Sequence, residues 1–168
     1  NYDPLANHDD TSCVYSTMTY IPDDNFEQAL INLGYDDILD DSVVTVNINT
    51  ITALNVGSMS ISDLTGIEDF TALDSLGCFQ NHLTSLDLSS NTVLTNLWCA
   101  DNQLTSLDIS NNTTLTDLDC ENNQLTNLDI SNNTALTYLN CTGNQLTSLD
   151  VSNNTGLNML HCGYNQLT

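Results

Sequence analysis

The sequence predicts an α/β solenoid: a row of short parallel strands, one per repeat, preceded by a helix. Three observations predict it. Cys78, Cys99, Cys120, Cys141 and Cys162 follow one another at intervals of 21 residues. Leu83, Leu104, Leu125, Leu146 and Leu167 keep the same interval. Ahead of this array, Phe26, Leu30 and Leu33 fall at the three-to-four spacing of one helix face.

Taken in chain order, residues 1–18 form a linker-like, acidic segment, NYDPLANHDDTSCVYSTM. Residues 19–43 contain the helix. In the stretch 21–34, IPDDNFEQALINLG, Pro22 suits a first turn, and Asp24 with Glu27 has capping-box spacing. Phe26, Leu30 and Leu33 fall on one face, and Gly34 can end the helix in a left-handed conformation. Asp36, Asp37, Asp40 and Asp41 follow, read either as a loop of solvated charges or as a calcium loop.

Residues 44–168 are the array. Leu94-Thr-Asn-Leu97-Trp-Cys99-Ala-Asp-Asn102-Gln-Leu104 meets the L-x-x-L-x-(L/C)-x-x-N-x-L core of a leucine-rich repeat. Further copies begin at Leu73, Leu115, Leu136 and Leu157, and a degenerate first copy begins at Ile51, which makes six. One repeat cannot bury its apolar side alone, so neighbours stack and share a continuous core. The strands are expected at Leu97-Trp98-Cys99 and its equivalents. Asn81, Asn102, Asn123, Asn144 and Asn165 are expected to bond the backbone of the bend that follows each strand. Solenoids need polar caps, and Thr168 stops mid-repeat, so a piece of a longer protein is expected.

The cysteine column occupies the slot that Val56 fills in the first copy. A free Cys behaves as a small buried hydrophobe. In-register neighbours on parallel strands stand too far apart for an unstrained disulfide, and a straight row of thiols does not converge on a tetrahedral metal. His161 and Cys162 point to opposite faces by strand alternation, so they do not share a metal. The five cysteines are therefore expected to pack.

The five L-x-x-L-x-C-x-x-N-x-L copies and the intervening L-D-(I/L/V)-S-x-N resemble the bacterial leucine-rich repeat proteins of the internalin superfamily, in their cysteine-ladder form. The resemblance covers roughly residues 44–168. It implies a parallel sheet on a concave face, an N-terminal helical cap over the first repeat, and a secreted or cell-surface adhesion role. Residues 1–15 resemble the short calcium-type repeat of secreted flavobacterial proteins through Asn1-Tyr2, Pro4, Ala6, Asp9-Asp10 and Ser12-Cys13, with Thr11 where Gly is usual. That likeness implies a disulfide partner for Cys13 before residue 1, and makes Asp3, Asn7, Asp9 and Asp10 the candidate calcium ligands. A solvated acidic linker is the alternative. No other cofactor is implied.

Charge excludes several functions. The chain has 22 Asp and Glu, no Lys or Arg, and a formal net charge of −22. Nucleic-acid binding depends on basic contacts to phosphate, so it is excluded. No apolar stretch is long enough to insert into a membrane as a helix. An enzyme is not expected: there is no nucleophile–base pair, no basic residue to stabilise an oxyanion, and His8, His82 and His161 are scattered.

Aligned copies show where the repeats differ. The columns flanking the strand Cys are free: Ser75, Asn96, Asp117, Tyr138, Met159; Gly77, Trp98, Asp119, Asn140, His161; Phe79, Ala100, Glu121, Thr142, Gly163; and Gln80, Asp101, Asn122, Gly143, Tyr164. From Leu73 onward every aromatic residue lies in them. The other side is monotonous, with Asp87, Asp108, Asp129 and Asp150 in one row, expected to bond local turn amides. Aromatic residues are enriched in binding hot spots. The candidate ligand site is therefore Phe79, Trp98, Asp117, Asp119, Glu121, Tyr138, His161 and Tyr164, for a protein or glycan at a cell surface. The alternative is a structural spacer or filament component with no dedicated ligand.

Overall fold

Leu54, Leu76, Leu97, Leu118 and Leu139 are buried, while the residue on either side of each faces outward to a varying degree. That alternation is the period of a strand with one face against a core. The computed structural model describes residues 16–168. The five calcium-type residues Asp3, Asn7, Asp9, Asp10 and Cys13 lie outside them.

The repeats supply six strands: β3 Ala53–Asn55, β4 Ser75–Gly77, β5 Asn96–Trp98, β6 Asp117–Asp119, β7 Tyr138–Asn140 and β8 Met159–His161. They form one parallel sheet in chain order, with Leu54, Leu76, Leu97, Leu118, Leu139 and Leu160 in register. The strands begin one residue earlier than the sequence suggested, and each ends before its Cys. The ladder nevertheless continues past them, since Cys78 N donates to Trp98 O, and Cys99 N to Asp119 O, at 2.8 Å.

A second hydrogen-bond ladder runs along another side of the coil, where Gln103 N donates to Leu83 O and Gln124 N to Leu104 O. Asp87 and Asp108 form a parallel bridge beside it.

Two asparagine columns bind the coils together. Asn102 Nδ2 donates to Cys99 O and Ala100 O of its own repeat and to Cys78 O of the preceding one, while its Oδ1 accepts from Leu83 N. Asn81, Asn123, Asn144 and Asn165 repeat the arrangement. Each side chain thus bonds the bend that follows its own strand, as expected, and also reaches the preceding repeat, which the sequence reading did not include. A carboxamide pointing back along the stack meets both a donor and acceptors that strand pairing leaves unused.

Asn91, Asn112, Asn133 and Asn154 form a second buried column that the sequence reading did not assign. Asn112 Nδ2 donates to Leu88 O and Asn91 O, one repeat back.

Ahead of the array, β1 Met18–Tyr20 pairs antiparallel with β2 Ser42–Val44 and brackets helix α1, Asp24–Leu33. This strand pair was not anticipated. The helix lies within the expected stretch 21–34 but begins later, and its N-cap is Asp23, whose Oδ1 accepts from Asn25 N and Phe26 N. Pro22 thus precedes the helix, and Glu27 is no capping partner.

Glu27 is instead fully buried and accepts from the backbone N–H groups of Asp40, Asp41 and Ser42. The 40–42 segment is therefore arranged around this carboxylate. Among the described residues no group of three or more His, Cys, Asp or Glu side chains is placed to hold a metal ion.

Phe26, Ala29 and Leu30 form the buried face of α1, whereas Leu33 is 43% exposed, against expectation. Gly34 ends the helix with φ 81°. Phe26 stacks on Phe70 with ring centroids 6.3 Å apart. Asp23 Oδ2 also accepts from Ser62 N and Asp63 N, and Asn25 Nδ2 donates to Ser60 O. One aspartate thus caps the helix and ties it to the first repeat.

Candidate functional site

The outward positions of β5, β6 and β7 bring most of the predicted site together. Register places Trp98 beside Asp119 and Asp119 beside Asn140 in one column, and Asn96, Asp117 and Tyr138 side by side in the other. Neighbouring strands of a sheet lie about 4.8 Å apart, so these side chains are within reach of one another.

Trp98 is 41% exposed. A large aromatic group left this exposed on a sheet face forgoes part of the gain that full burial would give. Next to it, β6 carries carboxylates on both outward positions. Asp117 Oδ2 accepts from Thr116 Oγ1 at 2.8 Å. Asp119 Oδ1 accepts from Glu121 N at 3.1 Å. Burial pushes the Asp119 carboxyl above its ordinary range, and the charges of Glu121 and Asp101 add to the shift, against the lowering effect of the Glu121 amide and Asn140.

Tyr138 lies on the other flank. Its phenol is raised mainly by burial and then by Asp119, opposed by a hydrogen bond with Asn140. Its ring meets His161 with centroids 6.0 Å apart, tilted at 60°.

Asn140 is the residue the sequence reading left out of the site. It is only 7% exposed and donates from Nδ2 to Glu121 Oε2 at 2.9 Å. Its Oδ1 accepts from Thr142 N. It therefore orients the acidic group across the β6–β7 boundary. Its position in the Gly77–Trp98–Asp119–His161 column was the available signal.

Two predicted members stand apart. Phe79 is half-buried, and its ring tip covers Gly57, where a Cβ would sit 2.5 Å from the ring. Phe79 is thus spent on packing against the first repeat. Tyr164 is 90% exposed and has φ 52°. Ser58, Gln80, Asp101, Asn122 and Gly143 share that left-handed turn position. Gly143, Asn122 and Asp101 suit that left-handed backbone, whereas Tyr164 does not favour it.

Cys78, Cys99, Cys120 and Cys141 are free and buried, and Cys162 is partly exposed. Burial pushes the Cys78 thiol to about 12 and Cys141 to about 11. Cys99 and Cys120 are also held well above the ordinary thiol range by burial, and each is raised further by a neighbouring cysteine. Buried protonated thiols are inert.

The Asp row is satisfied locally. Asp87, Asp108, Asp129 and Asp150 each accept from the backbone N–H two residues on, at Ser89, Ser110, Ser131 and Ser152. Bonds from these serines hold all four carboxyls below the usual range.

Comparison with known proteins agrees with this geometry. A family model described as the LVIVD repeat matches residues 97–117 and 120–141, each match about one repeat long. Internalin J of Listeria monocytogenes serotype 4b (strain F2365) is 45% identical over 73 residues, which cover 44% of this chain and 8% of that protein. The solved functional domain of InlJ from Listeria monocytogenes, which includes a cysteine ladder, superposes with TM-score 0.83 at 42% identity, covering 91% of this chain and 35% of that one. An internalin, InlF, from Listeria monocytogenes strain 4b F2365 superposes with TM-score 0.82 at 27% identity, covering 88% of this chain and 45% of that one. The chain thus spans less than half the length of these relatives. Its described residues are an internalin-like leucine-rich repeat solenoid whose cysteine ladder is similar to that of InlJ.

Proposed function

We propose that this chain is a non-enzymatic recognition or adhesion module of a secreted or cell-surface protein, and that it binds a protein or glycan on the outward face of β5, β6 and β7, which would be the concave face of the solenoid. The observation that carries the proposal is Trp98: a solvent-facing tryptophan on a sheet row, beside half-buried carboxylates that have no basic partner in the chain. Similarity to internalins supports a surface role. Among the described residues no helix is long and apolar enough to cross a membrane. Helix α1 would act as the cap of the array, through its contacts to Phe70, Ser62 and Asp63.

A structural spacer is the second reading. It is favoured by the near-identical bonding of Asn102, Asn123 and Asn144, since a uniform rod needs no distinctive face.

Trp98 is the chain's one tryptophan, so its emission reports on the proposed site. The test is titration with surface-protein extracts and soluble polysaccharides. Recognition predicts a saturable change with one of them. That change is lost in Tyr138→Ala, and binding is lost in Trp98→Ala, with the denaturation midpoint of each variant unchanged. No response to any ligand, with surface attachment indifferent to Trp98→Ala, would leave the spacer reading.

A further inference from the structure

The outward face of β5–β7 is an unpartnered sheet face whose charge is of one sign. Asp117 and Asp119 occupy both outward positions of β6, and Glu121 follows two residues on. Trp98 stands beside them on β5, and Tyr138 on β7. Every hydrogen bond these carboxylates receive comes from a neutral donor: the Thr116 hydroxyl, the Glu121 amide and the Asn140 carboxamide. The chain has no Lys or Arg to neutralise them.

The opposite Asp row gives the contrast. There each carboxylate is solvated and bound by its own turn, and no aromatic side chain lies in its column. On β6 the charges are partly withdrawn from water and framed by two aromatic faces. A carboxylate pair beside an exposed indole is complementary to an ammonium or guanidinium group, which gains an ion pair and a cation–π contact together. A neutral glycan would stack on Trp98 but would leave the β6 charges uncompensated. An acidic glycan would be repelled.

We infer that the β5–β7 face docks a protein segment bearing Lys or Arg, with one cationic side chain seated over Asp117 and Asp119 between Trp98 and Tyr138. This rests on the reading of that face as a binding site, and it names the partner's chemistry.

The test uses the whole chain and an oligolysine peptide with blocked ends, read by Trp98 emission and by calorimetry. Two double variants remove the same charge from different faces: Asp117→Asn with Asp119→Asn, and Asp87→Asn with Asp108→Asn. The expected result is saturable binding that weakens about tenfold in the first pair and less than about twofold in the second. Equal weakening in both pairs would mean attraction to net charge alone, and would overturn the inference. A response to a neutral polysaccharide and none to oligolysine would overturn the cationic partner while keeping the face as the site. If no probe moves the emission and Trp98→Ala leaves oligolysine binding intact, both the inference and the reading beneath it fall.

Discussion

Asn123 reaches across a repeat boundary to Cys99: its Nδ2 donates to the Cys99 carbonyl at 3.0 Å, while its Oδ1 accepts from Leu104 N at 3.0 Å. The same Nδ2 donates to Cys120 O of its own repeat. One carboxamide therefore satisfies buried groups on two coils at once. Asn123→Ala leaves a buried donor and buried acceptors without partners, and each such group costs about 1–3 kcal/mol. The variant should lose roughly 3 kcal/mol or more in urea denaturation, with Asn123→Asp no better because it lacks the donor.

Thiol reactivity should divide by position. Cys78, Cys99, Cys120 and Cys141 are buried, with thiols far above the ordinary range, whereas Cys162 is partly exposed. Alkylation of the native chain at mild alkaline pH should label Cys162 and spare those four until denaturant is added. The chain has no Lys or Arg, so sites must be mapped with an Asp-directed protease instead of trypsin. Labelling of Cys120 at the rate of Cys162 would contradict a closed core.

Acid stability should carry two contributions of opposite sign. Asp87, Asp108, Asp129 and Asp150 have lowered folded values, so the stability they add is present above the ordinary carboxylate range and is lost as pH falls through those lowered values. Asp119 is raised, so it destabilises the fold progressively as pH rises through its raised value. Asp119→Asn should therefore stabilise the fold at neutral pH, with the gain vanishing below the ordinary range. Asp108→Ala should destabilise at neutral pH and converge on the native chain in strong acid. Denaturant midpoints measured across pH on both variants check the two signs.

Glu27 should govern the approach to the first repeat. Its buried carboxylate holds three backbone N–H groups at Asp40, Asp41 and Ser42. Glu27→Ala orphans all three and should cost roughly 3 kcal/mol or more. Amide exchange should accelerate first at Asp40–Ser42, with strands β5–β7 still protected. Uniform acceleration along the array would mean that the N-terminal elements and the repeats unfold as one unit.

A side chain at Gly143 should be costly. Its φ is 68°, and a Cβ there would run into Asn122 Oδ1. Gly143→Ala should destabilise by about 1–2 kcal/mol from the left-handed backbone alone. Tyr164 occupies the equivalent position with φ 52°, so Tyr164→Asn should be neutral or stabilising. Thermal melts should show a lower midpoint for Gly143→Ala and an unchanged or higher one for Tyr164→Asn.

Much of this was legible in the residues. A 21-residue period in Leu, Cys and Asn determined by itself that the chain stacks parallel strands and that the cysteines lie inside, because only a stacked coil repeats one environment at that interval. The location of the aromatic and acidic variation on β5–β7 was equally readable, since alternation along a strand assigns faces. Only the tertiary structure decided the rest. It extended each Asn from its own bend to the preceding coil as well. It diverted Phe79 to cover Gly57, placed Tyr164 in a turn, and drew Asn140 in beside Glu121. It also buried Glu27 under a loop 13 to 15 residues away in sequence, and paired β1 with β2 across the helix. Those outcomes depend on which groups from distant segments meet in space, and local periodicity carries no record of that.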